Sequence, residues 1–283
     1  MKKRQWIYVA LILLCAAVFV GYRGVNQLRA DTEPPQISFS GPLSISVSDG
    51  EAAMFQGVTA KDDRDGNVTD SLVVESITMS DPEQPAKMIY AAFDAAGNVT
   101  KAERELTFTD YVSPRFGLSE PLIYPATNNS FNVLARVQAN DVLEGDISRR
   151  IRATAMSDSS IGTLGVHEVA FRVTNALGDT AEVVLPVEVV SMESYRASLE
   201  LTDYLVYLRT GATFNPRDYL YEYSMLDEEY YLRGTFPEEL ELKITGTVDT
   251  GTPGVYAVSY TVMGELRNTE YAAYSKLIVI VEG

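Results

Sequence analysis

Ala60-Lys-Asp-Asp-Arg-Asp-Gly-Asn-Val-Thr69 returns, altered, as Ala139-Asn-Asp-Val-Leu-Glu-Gly-Asp-Ile-Ser148. In register, Asp62 meets Asp141, Asp65 meets Glu144, Gly66 meets Gly145 and Asn67 meets Asp146, always 79 residues apart. A constant offset between similar stretches marks a repeated structural unit. The segment that opens the first copy, Asp31-Thr-Glu-Pro-Pro-Gln-Ile37, also returns 79 residues later as Asp110-Tyr-Val-Ser-Pro-Arg-Phe116.

Between these anchors the chain reads as short alternating runs broken by turn residues, the pattern of half-buried strands. Gly41-Pro42 splits Ile37–Phe39 from Leu43–Val47, and Asp49-Gly50 precedes a run over Met54–Ala60. Val68–Met79 and Met88–Phe93 follow, and Val99–Thr109 closes the unit after the turn Asp94-Ala-Ala-Gly-Asn98. About seven strands in so short a unit, without a convincing helix, predict an Ig-like β-sandwich. The second copy follows the same plan, with Thr174-Asn-Ala-Leu-Gly-Asp179 in place of Phe93–Asn98, and Pro186 argues for an edge or a bulge in its last strand. A third copy diverges: Gly254, Val255 and Tyr260 align with Gly165, Val166 and Phe171, but the acidic glycine turn is gone. In its place stands Asp218–Arg233, rich in Tyr, Glu and Asp, and 12 of the 17 tyrosines lie in this copy. The expected fold class is all-β, tandem Ig-like β-sandwiches after one N-terminal transmembrane helix. The expected domains are 1–30 (tip, anchor and linker), 31–110, 111–190 and a divergent 191–283.

Trp6–Tyr22 is uncharged, follows Met1-Lys-Lys-Arg4 and carries aromatics at both ends. As a helix its 17 residues span about 25 Å, near the lower limit for a bilayer. The charge bias would leave the N-terminus in the cytoplasm and the body outside. The expectation is a signal anchor at the cell membrane through residues 6–22, with a secreted body if residues 1–30 are cleaved. Leu28-Arg-Ala30 is a poor cleavage site, and Leu14 before Cys15 is wrong for a lipoprotein.

Composition closes off several chemistries. Residues 1–30 hold five basic residues and no acids, so the rest carries 18 basic against 39 acidic residues. A body this acidic repels nucleic acid and attracts cations. Cys15 is the single cysteine and His167 the single histidine, which excludes an intramolecular disulfide and every site needing paired Cys or His ligands. His167 beside Gly165-Val166 reads as a structural strand residue. No pair of carboxylates is placed across a cleft, so no enzymatic activity is expected.

The motifs together resemble the bacterial Ig-like domains of surface and secreted proteins, in particular the type first noted in insecticidal crystal proteins, and more distantly hyalin-type repeats. The resemblance rests on Asp31–Ile37, Gly57–Thr69, Asp94–Asn98 and Thr252-Pro-Gly-Val-Tyr-Ala-Val-Ser-Tyr260. The second copy departs from it at Glu144 and Asn175, and the third lacks both acidic loops. It implies a non-catalytic extracellular module. The function expected is therefore adhesion, binding or spacing at the bacterial surface, with an unknown protein or glycan as partner. The alternative is a carbohydrate- or cell-wall-binding module using the third copy.

Two sets of residues are candidate sites. Asp62, Asp63, Asp65, Asn67, Asp94 and Asn98 offer oxygens beside glycine turns, the donor type calcium takes. The other reading is that Asp62 and Asp94 accept backbone N–H groups in Asx-turns, with Gly66 and Gly97 supplying positive φ. No other cofactor is expected. Tyr219, Tyr221 and Tyr223 alternate, which predicts one shared strand face; with Tyr230 and Tyr231 they form the candidate binding face, and ordinary sheet packing is the competing explanation.

Overall fold

In the computed structural model the described residues are 8, 11–22, 31–79, 81–126, 131–156, 163–191, 197–225, 228–231, 240–266 and 269–283. They belong to two compact units, residues 1–110 and 111–283.

The first unit contains β1 (Gln36–Ser38), β2 (Leu43–Ile45), β3 (Thr59–Asp62), β4 (Gly66–Asn67), β5 (Val73–Thr78), β6 (Ala86–Phe93) and β7 (Val99–Phe108). One sheet has the order β1-β3-β4, the other β2-β7-β6-β5. β5, β6 and β7 form an antiparallel meander, and β2 joins β7 in parallel. The chain thus changes sheet between β1 and β2, at Gly41-Pro42. Gly41 takes a φ of +65° there, and Pro42 has no N–H to lose from a ladder. The order departs from the antibody constant domain, in which the first two strands lie in the same sheet. Two local expectations also change. The Met54–Ala60 run opens on the last residue of a short helix, Glu51–Met54, and its strand starts only at Thr59. Val68–Met79 opens with a 3-10 turn at Thr69–Ser71, because the Asn67 side chain accepts the Thr69 N–H at 3.1 Å.

Alternate residues of β6 (Ala86, Met88, Tyr90 and Ala92) are fully buried. Phe39 and Phe55 pack against the Tyr90 ring at 6.0 and 6.1 Å, and its hydroxyl donates to the Met54 carbonyl. Burying an aromatic of this size supplies a large share of a small core. Arg104, also buried, donates to the Gly41 and Gln56 carbonyls at 2.9 Å each and lies over the Phe39 ring.

The second unit repeats the plan twice. β8 (Arg115–Leu118), β9 (Ile123–Pro125), β10 (Val137–Asp141), β11 (Gly145–Asp146), β12 (Arg152–Ala155), β13 (Gly165–Thr174) and β14 (Thr180–Val190) form the sheets β11-β10-β8 and β12-β13-β14-β9. Then β15 (Ala197–Leu201), β16 (Leu205–Arg209), β17 (Leu220–Met225), β18 (Glu228–Tyr231), β19 (Leu240–Thr245), β20 (Gly254–Leu266) and β21 (Thr269–Glu282) form β15-β17-β18 and β16-β21-β20-β19. In each case the first strand pairs with the third, and the second joins the last in parallel. Phe171 and Tyr260 are fully buried in β13 and β20, as Tyr90 is in β6, and the Tyr260 hydroxyl donates to the Pro216 carbonyl at 2.8 Å. Pro186 pairs with Glu168 on β13. Its nitrogen points to the same side as that of Glu188, which donates to Leu122; β9 pairs only from Glu188 onward, so Pro186 interrupts no ladder.

These two sandwiches share a core. Leu205 and Ile278 belong to the same buried cluster as Phe116, Phe171 and Val187, while Leu277, Val279 and Val281 face the third sandwich's own interior. β21 is therefore apolar on both faces. Across the joint, Glu188 binds Lys276 and accepts the Tyr274 hydroxyl at 2.9 Å. Arg115 pairs with Glu282 at 2.5 Å and stacks over Tyr207, whose hydroxyl accepts the Phe116 N–H at 2.9 Å.

The expected membrane anchor is overturned. Residues 11–22 are helical, and among the described residues no helix is long and apolar enough to cross a membrane. The described helical stretch at residues 11–22 covers about 18 Å, against roughly 30 Å of hydrocarbon. The single-pass placement of the body outside a cell membrane, and the membrane as partner, fall with it. Residues 6, 7, 9 and 10 of the expected span lie outside the described residues.

The joint gives a measurable expectation. Side-chain exposures of 9% at Lys276 and 19% at Glu188 mean that removing one partner strands a largely dehydrated charge. Lys276→Met is expected to destabilise residues 111–283 by about 3–5 kcal/mol in denaturant unfolding. The double variant Glu188→Gln/Lys276→Met, which keeps an acceptor for Tyr274, should recover most of that loss; equal losses in both would refute the account.

Candidate functional site

The repeated acidic loop is a three-residue connection between β3 and β4, with Asp62 opposite Gly66. Gly66 and its counterpart Gly145 take φ of +76° and +73°, which L-residues with side chains rarely adopt. Asp62 points inward, only 3% exposed, and its Oδ1 accepts the N–H groups of Arg64 and Asp65 at 2.8 and 2.9 Å. Asp141 repeats this with Leu143 and Glu144, at 2.9 and 3.0 Å. The Asx-turn reading of Asp62 is therefore correct for one of its two oxygens.

The second oxygen separates the copies. In the second sandwich, Asp141 Oδ2 accepts the Asn175 amide at 2.9 Å. The same amide nitrogen donates to the Tyr111 hydroxyl at 2.8 Å, which in turn donates to Asp179 at 2.7 Å. Asn175 Oδ1 takes the N–H groups of Leu177 and Asp179, both at 3.0 Å. Glu144 is held by a two-pronged contact from Arg150 and accepts the Ala176 N–H. Arg150, first, and Ala176 hold the Glu144 carboxyl below its ordinary range against the opposing effect of burial. Burial and the Asp179 carboxylate push the Tyr111 hydroxyl well above its ordinary value, so it stays a donor.

In the first sandwich Asp94 stands where the second has Asn175. Asp94 accepts the backbone and side-chain N–H groups of Asn98, at 2.7 and 2.6 Å. Burial raises its pKa, but these bonds outweigh that and leave it below the ordinary carboxylate value. Asp65 accepts the Ala95 N–H at 2.7 Å. Oxygens of Asp62, Asp65 and Asp94 lie within 4.8 Å of one another, and so do those of Asp31, Asp62 and Asp63. Asp62 Oδ2 is buried without a hydrogen-bond partner. A stranded neutral acceptor costs about 1–3 kcal/mol, and a charged one more.

Of the six residues expected at a cation site, the fold groups Asp62 with Asp65 and Asp94, and separately with Asp63. Asn67 is turned away, its oxygen capping Thr69 through both the backbone N–H and the hydroxyl. Asn98 faces the cluster as a donor: its amide nitrogen bonds Asp94 and the carbonyls of Asp31 and Glu33. Asp31 joins the group instead; its place at the head of the repeated motif was the only sequence signal for it. His167 is buried, with Nε2 2.8 Å from the Thr163 carbonyl.

The tyrosines do not share a face. The pairing of β15 with β17 shifts between Glu200 and Leu201, a bulge that skips Tyr221. A bulge reverses the alternation of the strand. Tyr223 is consequently fully buried, Tyr221 is 36% exposed and Tyr219 ends a 3-10 turn, packed against the third core. The side chains of Tyr230 and Tyr231 lie outside the described residues. Tyr221 and Tyr204 instead line a cleft of about 540 Å³ with Ser119, Glu120, Glu200 and Thr202, between the second and third sandwiches.

No protein-family model matches the sequence, and neither does the sequence of any curated protein. Among solved structures, the chain is similar to the CBM51-2 and INT domains of Clostridium perfringens ZmpB, the former in complex with GlcNAc, at 16% identity and a TM-score of 0.22, over 54% of this chain and 41% of that one. It is also similar to the protocadherin gammaB4 extracellular domain (11% identity, TM-score 0.20, 88% of this chain and 51% of that one). Mouse cadherin-23 EC22-24 matches at 10% identity and a TM-score of 0.20, over 89% of this chain and 99% of that one. Likenesses this distant carry no argument about function, and the architecture rests on the strand pairing itself.

The Glu144–Arg150 contact predicts a pH dependence. Because the folded pKa of Glu144 is depressed, its contribution is complete above the ordinary value and is lost as the pH falls through the folded one. Glu144→Gln should therefore flatten the acid limb of the melting-temperature profile of residues 111–283 below about pH 4.3. Superimposable acid limbs in the two proteins would contradict the assignment.

Proposed function

We propose that the chain is a non-catalytic binding module, an array of sandwiches of the bacterial Ig-like kind its motifs resemble, whose joined second and third members bind a glycan. The observation that carries this reading is the cleft at their joint. Tyr204 and Tyr221 line it with aromatic surface, while Glu120, Glu200, Ser119 and Thr202 line it with acceptors and donors of the kind sugar hydroxyls need. Burial keeps the Tyr204 hydroxyl protonated by raising its pKa, against an opposing backbone hydrogen bond at Leu201. The shared core of the two sandwiches holds the cleft walls at a constant separation, which lowers the ordering cost of binding. The buried polar groups described above serve loops and the joint: Asp141 and Asn175 close a turn, Lys276 joins two sandwiches, and His167 bonds a carbonyl.

The test is a panel of soluble oligosaccharides and cell-wall fragments titrated against the full chain and its Tyr221→Ala variant. At least one saccharide should bind, and Tyr221→Ala should weaken it roughly tenfold, equivalent to about 1.4 kcal/mol. Binding that is indifferent to Tyr221 would move the site elsewhere. Absence of any saccharide binding would leave the array a spacer or a protein-binding surface.

A further inference from the structure

The first and second sandwiches solve the same problem differently, and the difference points to a ligand. In both, one oxygen of a buried aspartate is satisfied by two backbone N–H groups of its own turn. In the second, the other oxygen receives an amide N–H from Asn175, and the neighbouring Glu144 is neutralised by Arg150. In the first, the residue in the place of Asn175 is Asp94, and Ser71 stands in the place of Arg150. A carboxylate has no hydrogen to donate to another carboxylate. Asp62 Oδ2 is accordingly left buried and unpartnered beside Asp65 and Asp94.

We propose that Asp62, Asp65 and Asp94 bind a calcium ion in the first sandwich, and that the second sandwich carries a metal-independent version of the same loop. A hard cation is the partner that satisfies three converging carboxylates at once. Calcium is favoured over magnesium because it accepts irregular sets of six to eight oxygens in flexible geometry, whereas Mg²⁺ demands near-ideal octahedral geometry and usually takes only one or two carboxylates. The three oxygens here lie within 4.8 Å of one another. Asp31 and Asp63, which also cluster with Asp62, add negative charge nearby; Arg64, 3.8 Å from Asp31 and half-exposed, offsets part of it. Water supplies the remaining positions, as in other loosely built calcium sites.

The second sandwich also supplies the design of the test. Asp62→Asn keeps the oxygen that closes the turn and places an amide nitrogen where the unpartnered oxygen was, donating toward Asp94. Thermal unfolding of the full chain would be followed in EDTA and with CaCl₂ or MgCl₂ titrated to about 10 mM, roughly ten times the weakest constants of ordinary calcium modules. For the unaltered protein, calcium should raise the transition of residues 31–110 by roughly 5–10 °C, with a smaller rise in magnesium. Asp62→Asn should lose that rise and melt in EDTA no lower than the unaltered protein. Glu144→Gln, in the second sandwich, should leave the calcium response unchanged. An unaltered protein that melts at the same temperature in EDTA and calcium would overturn the proposal. So would an equal calcium response in Asp62→Asn, or a first transition that rises on mild acidification and ignores calcium, which would mean that a shared proton satisfies the cluster. None of these readings depends on the cleft between the second and third sandwiches.

Discussion

A carboxylate cannot be buried half-satisfied without cost, and the acidic loops of this chain are organised around that constraint. Asp62 and Asp141 sit in the interior because their strands alternate, placing every second residue of β3 and β10 inward. One oxygen of each closes its own hairpin. The other must find a partner from the turn between β6 and β7, or between β13 and β14, which lies next to it in space and about 30 residues away in the chain. The residue in that second turn therefore decides the chemistry of the loop. An amide there completes a closed network, and a carboxylate there makes a cluster of like charges.

The third copy dispenses with the acidic loop and is stabilised in another way. Its sheet β16-β21-β20-β19 is covered on one face by its own core and on the other by the second sandwich. The run Leu277-Ile-Val-Ile-Val281 reflects this, since a strand buried on both faces reads as continuous rather than alternating apolar residues. Glu188, Lys276 and Tyr274 then bridge the two docked sandwiches through a largely buried ion pair and a hydroxyl. Docking also creates the cleft, because Glu120 and Tyr221 belong to different sandwiches and meet at its rim.

Much of this architecture could be read from the chain. The constant offset between the acidic loops, the glycines at positive φ and the alternation within β6, β7, β13 and β14 all act locally, and each points to the same repeated sandwich. The tyrosine face could not be read, because parity along a strand holds only while pairing is regular, and the bulge opposite Glu200–Leu201 reverses it. The membrane helix failed for a related reason. An apolar run shows what would tolerate lipid, and among the described residues it forms no helix long enough to cross a bilayer.

The sequence by itself determined the all-β class, the turns and the aspartates that close the acidic loops, because turns and alternation depend on neighbours in the chain. Only the tertiary structure decided which oxygens are satisfied, which tyrosines are buried, and that the second and third sandwiches share one core. Those outcomes depend on side chains brought together from strands dozens of residues apart, such as Asp62 with Asp94, Asp141 with Asn175, and Glu188 with Lys276. Whether such a pair attracts, repels or needs a third partner is settled by distance and burial, and neither is written in the order of residues.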